Sequence, residues 1–366
     1  MAIKHYHFDH VGSYLRTDRL KKARADFAAG KITAVDLKAV QEAEIKALVD
    51  KEAEIGLQAV TDGEFNRSWW HLDFMAGLTG VESYEQEAST YQFHGQQTRA
   101  TNVRLTGKVA VNSVHPFFAD FLYLKSITPE GIEAKVTIPS PTMFLRDGRS
   151  DAYSDFYESW RDYLDALATA YHDSLLKFYE LGARYIQLDD TTWAFLIARL
   201  TTEEDKSPYE KQAEDAVYLI NKVLEDLPTD LRVTTHICRG NFKSTYLFEG
   251  SYAPVAKYLG QLNYDSFFLE YDDARSGDFG PLAEIWNGRK DVLIVLGVFT
   301  SKFAALEPER AILSRLHEAA ALVPLENLAL STQCGFASTE EGNDLSEEEE
   351  WAKLAHIKKM VDQIWK

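Results

Sequence analysis

Short apolar runs alternate along this chain with longer stretches in which apolar residues recur every three or four positions. That alternation predicts strands joined by helices, the pattern of a parallel sheet assembled from βα units. Eight runs read as strands: His7 to Ser13, Leu57 to Glu64, Ala134 to Thr142, Tyr185 to Thr191, Val233 to Cys238, Ser266 to Tyr271, Val292 to Thr300 and Leu328 to Cys334. Between the first two, Thr33-Ala-Val-Asp36 reads as a capping box opening a helix, with Leu37, Val40, Ala43 and Ala47 on one face and Gly56 as the stop. Ser346-Glu-Glu-Glu349 repeats this ahead of Trp351, Leu354, Ile357, Val361 and Trp365, so the described pattern closes on a helix. Residues 80–115 depart from the rhythm. Their polar and apolar positions alternate, which predicts a β-hairpin excursion outside the main sheet.

Eight βα units in 366 residues predict a (β/α)8 TIM barrel, with an open doubly wound sheet as the alternative. One domain over residues 1–366 is expected, because no repeat, low-complexity tract or Pro/Gly-rich linker divides the chain. Such barrels place their chemistry at the carboxyl ends of the strands. The polar residues concentrated there are Gly12-Ser13, Asp62-Gly63-Glu64, Asp189-Asp190, His236, Cys238, Glu270 and Cys334.

Cys238 and Cys334 are the chain's two cysteines, and each ends a strand-like run. Alternate side chains on a strand share a face, so His236 and Cys238 can aim an imidazole and a thiolate at one point. Glu270 and Cys334 would complete a set of one nitrogen, two sulfurs and one oxygen, which suits Zn²⁺. The competing reading of either cysteine alone is a small buried hydrophobe, and the His-x-Cys spacing lacks the paired Cys-x-x-Cys of readable structural zinc sites.

A net charge of −18 argues against a nucleic-acid or anionic-membrane surface, so small molecules are the expected partners. No window approaches the ~20 apolar residues of a spanning helix, and the first residues carry no secretory signal. A soluble cytoplasmic protein is expected, with its thiols reduced and free for metal. Nothing in the pattern fixes the oligomeric state, and a homo-oligomer is allowed.

The motifs His10-Val-Gly-Ser13, Asp62-Gly-Glu64, Ile186-Gln-Leu-Asp189, Thr235-His-Ile-Cys238, Phe268-Leu-Glu270 and Gln333-Cys-Gly335 occur in an order that resembles the catalytic barrel of cobalamin-independent methionine synthase. The resemblance runs from residue 10 to about residue 336. It implies a catalytic zinc on His236, Cys238, Glu270 and Cys334. It further implies that Gly12 and Ser13 hold the α-carboxylate of homocysteine, and that Glu64 and Asp189 meet its α-ammonium. The implied reaction is methyl transfer from a 5-methyltetrahydrofolate-type donor to the homocysteine thiol, giving methionine.

Three departures bear on the donor. Full synthases of the family carry a second, N-terminal barrel, whereas this sequence matches the catalytic half. The family's histidine after the seventh strand is not found in Gly297-Val-Phe-Thr-Ser-Lys302, where Lys302 falls nearest, as a proton donor or an anion-binding cation. The family's Gly-Pro-Val-Thr run appears as Ser140-Pro-Thr-Met143 without the following tryptophan, leaving Trp69, Trp70 or Trp193 to stack a flat ring. A methylcorrinoid or other methyl donor is therefore the alternative. Readings of other classes are a metal-dependent hydrolase using His5 and His7, a glycosidase using Asp189 and Glu270, and a non-catalytic thiol or zinc carrier.

Overall fold

The second to eighth predicted runs pair side by side in the computed structural model of the chain, which describes residues 6–87, 92–93 and 95–366. The strands in chain order are β1 (Ala59–Val60), β2 (Thr79–Glu85), β3 (Gln92–Phe93), β4 (Gln96–Gln97), β5 (Thr101–Ala110), β6 (Glu133–Pro139), β7 (Tyr185–Asp190), β8 (Arg232–Ile237), β9 (Ser266–Glu270), β10 (Leu293–Phe299) and β11 (Leu328–Thr332). Among the described residues, seven of them form one parallel sheet in the order β1-β6-β7-β8-β9-β10-β11. Helices such as Trp160–Glu180, Ser207–Leu224 and Glu309–Ala320 connect successive strands and cover the sheet.

The first predicted run makes a single parallel bridge, Phe8 to Leu330 of β11, in place of a strand. Its other edge lies along β1 and the turn that follows. His10 Nε2 sits 3.2 Å from the Ala59 carbonyl, Thr61 Oγ1 donates to the Gly12 carbonyl at 2.7 Å, and Tyr14 N donates to the Gly63 carbonyl at 3.2 Å. Gly12 explains the broken ladder. Its φ of +117° lies where side chains are rarely tolerated, and a Cβ there would meet Thr61 Cγ2 at 2.9 Å.

Alternation along the strands sorts the core in two. Phe267 and Leu269 of β9 pack outward with the helices, whereas Phe268 joins Val11, Leu293, Val295 and Ala329 in a separate inner cluster. Glu270 shares the parity of Phe268, as His236 shares that of Thr234 and Asp189 that of Gln187. Ladder register then sets these polar groups level with one another, with Asp189 opposite His236 and Glu270 opposite Gly297.

Both predicted capping boxes are present, opening helices Ala34–Glu54 and Glu347–Ile364. β2 and β5 pair antiparallel outside the main sheet, as do β3 and β4. Residues 88–91 and 94 of the predicted excursion lie outside the described residues. No helix among those described is long and apolar enough to cross a membrane.

Candidate metal centre and its neighbouring chamber

One ligand atom each from His236, Cys238, Glu270 and Cys334 lies within 4.8 Å of every other, and all four residues are buried. Parity places His236 and Glu270 on one face, and Cys238 follows His236 by two. The two sulfurs stand 3.7 Å apart. Both ring nitrogens of His236 are buried with no hydrogen-bond partner among the described residues, an arrangement that costs free energy unless something fills it. Two soft sulfurs, an orphaned imidazole and a carboxylate fit one metal ion of the zinc type.

The electrostatics agree with a cation-seeking site. A hydrogen bond from Cys238 holds the Cys334 thiol well below the usual range, while that contact and burial push Cys238 well above it. The pair is thus poised as one thiolate and one thiol. Burial opposes the His236 imidazolium, yet Cys334 together with Asp189 and Glu270 raises its pKa to about 9. Glu270 is oriented from behind. Arg239 N donates to Oε1 at 2.7 Å and Arg275 Nη2 to Oε2 at 3.1 Å.

Arg275 also contacts Asp272, and Asp272 in turn accepts from Lys302 Nζ at 2.8 Å. Lys302, expected as a proton donor or anion-binding cation, is therefore engaged in an ion pair whose two side chains are each 3 % exposed. Sequence reasoning missed Arg275 and Asp272. The signal available was Asp272-Asp-Ala-Arg275 directly after β9, a spacing too common to stand out.

Glu64 and Asp189 lie beside this cluster. Burial raises the Glu64 carboxyl to about 8 against the pull of Arg67 and Arg16, and raises Asp189 to about 6. Asp189 accepts from Gln187 Nε2 at 2.7 Å, whereas Glu64 Oε2 has no hydrogen-bond partner among the described residues. Glu64 also sits at φ 63°, a backbone position costly for a residue with a Cβ. Ser13 faces the loop after β11. Ala337 N donates to its Oγ at 3.4 Å, and a Cβ on Gly335 would fall 1.9 Å from that oxygen.

Next to Cys238 opens a mainly apolar chamber, walled by Trp69, Trp70, Phe93, Met143, Phe242 and Phe248. The Trp69-Trp70 turn is fixed from both sides. Asp73 accepts from the backbone N–H groups of Ser68 and Trp69, and Trp70 N donates to the Ser338 carbonyl. Trp193 is fully buried in the core instead. His5 lies outside the described residues. His7 makes its contact with the Leu328 carbonyl at the amino end of β11, the far end of that strand from Cys334.

Fold and site together define an α/β protein with a thiolate-rich metal-type centre at the carboxyl edge of its parallel sheet. Residues 9–362 match the model of the cobalamin-independent synthase catalytic domain. The chain is 44% identical to the uncharacterized protein YxjH of Bacillus subtilis (strain 168), over 98% of this chain and 94% of that one. It is 27% identical to the methionine synthase of Sulfurisphaera tokodaii, over 71% of this chain and 66% of the relative. A crystal structure of a candidate vitamin-B12-independent methionine synthase from Listeria monocytogenes superposes with TM-score 0.79 at 37% identity, covering both chains fully. A Shewanella B12-independent methionine synthase solved with selenomethionine shares the fold, with TM-score 0.70 at 16% identity over 98% and 97% of the two chains. The chain belongs to the cobalamin-independent methionine synthase family, catalytic domain, and is an enzyme of the methyltransferase type.

Proposed function

We propose that this chain transfers a methyl group from a 5-methyltetrahydrofolate-type donor to the sulfur of homocysteine, forming methionine. The observation carrying this reading is the convergence of four metal-ligand atoms within 4.8 Å, beside two buried acids. In this reading His236, Cys238, Glu270 and Cys334 hold zinc, which when bound stabilises a substrate thiol as its thiolate near neutral pH. Glu64 and Asp189 receive the α-ammonium, because a cation arriving between two buried carboxyls restores the stabilisation that desolvation removed. Gly12 and Ser13 take the α-carboxylate, and Gly335 leaves room for the Ser13 hydroxyl that any side chain there would displace.

The thiolate sulfur attacks the methyl carbon in line, the carbon–nitrogen bond of the donor breaks with its electron pair on nitrogen, and that nitrogen takes up from solvent the equivalent of the proton released when the thiol ionised, leaving as the neutral N–H amine. Lys302 serves as a positioning residue, holding Asp272 and through it Arg275 against Glu270. The architecture behind this is a single-domain (β/α)8 barrel, closed by the Phe8–Ser13 segment between β11 and β1, with residues 80–115 as the excursion. A cytoplasmic setting would keep the two free thiols reduced. A methylcorrinoid donor would alter the chamber and leave the four-ligand cluster unchanged.

Elemental analysis of protein purified under metal-replete conditions is expected to give one zinc per chain, and the protein to form methionine from homocysteine and 5-methyltetrahydrofolate. Cys238→Ser is expected to lose both. Wild type without zinc, or a Cys238→Ser variant that keeps full activity, overturns the reading.

A further inference from the structure

The aromatic chamber contains two buried polar atoms with no hydrogen-bond partner among the described residues: Nδ1 of His71 and Oδ1 of Asn241. Both residues line the chamber and both are more than nine-tenths buried. The simplest structural role for His71 does not apply. It is the N-cap of the short helix Leu72–Ala76, yet its side chain makes no capping bond.

The protonation of the His71 ring follows from its other nitrogen. Arg149 Nη2 lies 3.3 Å from Nε2, and a guanidinium can only donate, so Nε2 accepts and the neutral ring carries its hydrogen on Nδ1. Arg149 is itself clamped, with Nε donating to Asn102 Oδ1 at 2.9 Å and Nη1 to the Met143 carbonyl at 2.7 Å. Burial and the charges of Arg149 and Arg146 hold the imidazole well below its ordinary pKa, which keeps this tautomer neutral. Asn241 is fixed similarly. Its Nδ2 donates to the Gly335 carbonyl at 2.9 Å, which commits Oδ1 as the free acceptor.

The chamber therefore offers one fixed donor, one fixed acceptor and two indole walls. No carboxylate lines it. The arginines beside it are held by acids, Arg146 by Asp147 and Arg99 by Glu340, which leaves them poorly suited to gripping an anionic tail. Their charge equally disfavours a cationic guest.

We propose that His71 is a specificity-determining hydrogen-bond donor for the methyl donor, engaging an acceptor atom on a neutral, flat heteroaromatic ring laid against Trp69 and Trp70, with Asn241 Oδ1 receiving a ring N–H. This inference rests on the methyl-transfer reading and adds to it the part of the donor that is recognised and the residues that recognise it. His71 acts by holding the ring, since giving up its own hydrogen would leave an imidazolate.

The test titrates 5-methyltetrahydrofolate monoglutamate onto wild type, His71→Phe and His71→Asn, read by tryptophan fluorescence. Zinc content and the homocysteine KM are measured alongside. Losing one buried hydrogen bond is expected to weaken folate binding about tenfold in His71→Phe. His71→Asn, whose Nδ2 stands near the place of Nδ1, is expected to recover to within about threefold. Zinc content and the homocysteine KM stay unchanged in both, and a shared thermal transition shows that both fold. Equal folate affinity in wild type and His71→Phe, or no folate binding by wild type, overturns the inference. Wild type that binds folate in a His71-dependent way but forms no methionine overturns the methyl-transfer reading alone. Wild type that forms methionine, with the donor KM unchanged in His71→Phe, overturns this inference alone.

Discussion

The metal-type cluster and the aromatic chamber adjoin at Cys238 but are built by opposite means. Every member of the cluster stands on a parallel strand or within two residues of its end, so ladder register fixes its position. The chamber comes from loops. Trp69, Trp70 and His71 lie after β1, Phe93 on the excursion, Met143 after β6, and Asn241, Phe242 and Phe248 after β8. What holds those loops is a set of individual ties, such as Trp70 to Ser338, Asn241 to Gly335 and Arg149 to Asn102. The difference teaches that the cluster is set by ladder geometry, while the chamber is set by individual loop ties that can change without disturbing it.

Glu64, held against Arg67 and Arg16 and near Asp189, gives the sharpest way to separate stability from function. Its folded pKa of about 8 exceeds the ordinary 4.5. Between those values the unfolded chain has released the proton while the folded chain retains it, so stability falls as pH rises through this window and levels off above 8. Glu64→Gln removes this titration. At pH 8 to 9 the variant is expected to be more stable than wild type by on the order of 5 kcal/mol, with the gap closing below pH 4.5. Its homocysteine KM should rise sharply, because the α-ammonium loses a partner. Thermal melts across pH check the first claim, and a Tm gap independent of pH would refute it.

Arg275→Ala probes the cluster from behind without removing a ligand. Glu270 would keep the Arg239 N–H bond and lose its contact with Arg275, and Asp272 with Lys302 would lose the cation between them and the carboxylate. Supporting groups of this kind typically alter metal affinity by about 10–100-fold. A competition titration with a zinc chelator measures it. The expected outcome is weaker zinc with folate binding unchanged. If folate affinity fell in parallel, the two regions would not be separable.

The same contrast explains what was legible in the sequence. Period-2 geometry makes His236 and Cys238 readable as convergent, and Glu270 and Cys334 follow from each ending its own apolar run. The second to eighth strand-like runs all appear in the sheet, because buried parallel strands write themselves as continuous apolar stretches. The first run reads as a strand yet forms one bridge, since Gly12 turns the backbone to positive φ beside Thr61. Leu57 to Glu64 shortens to Ala59–Val60 for a related reason, with Gly63 and Glu64 both at positive φ. The chamber left no periodic trace. Among three candidate tryptophans nothing in the sequence separated Trp193, in the core, from Trp69 and Trp70, at the cavity. Lys302 was picked by position along the chain, but Asp272, which takes up its charge, is thirty residues earlier and reaches it only through the fold.

The smallest expected effect tests whether the excursion belongs to the chamber. Asn102 is on β5, outside the main sheet, yet its Oδ1 receives Arg149 Nε and its Nδ2 donates to the Asp147 carbonyl at 3.0 Å. A line of contacts thus runs from the excursion through Arg149 to His71, with no member among the four candidate ligands. Asn102→Ala leaves Arg149 its bond to the Met143 carbonyl and its ion pair with Asp147, so the guanidinium loosens without being released. One charge-assisted hydrogen bond acting at one remove is worth a fraction of the usual ~1.5–3 kcal/mol, which predicts folate binding weakened by about two- to threefold. Zinc content and homocysteine KM should not move. The double variant Asn102→Ala with His71→Phe is decisive: if Asn102 acts only through His71, adding Asn102→Ala to His71→Phe produces no further loss. A full additive loss would mean that the excursion contacts the donor by another route, and the chamber would then be a joint product of the loops of the main sheet and the excursion.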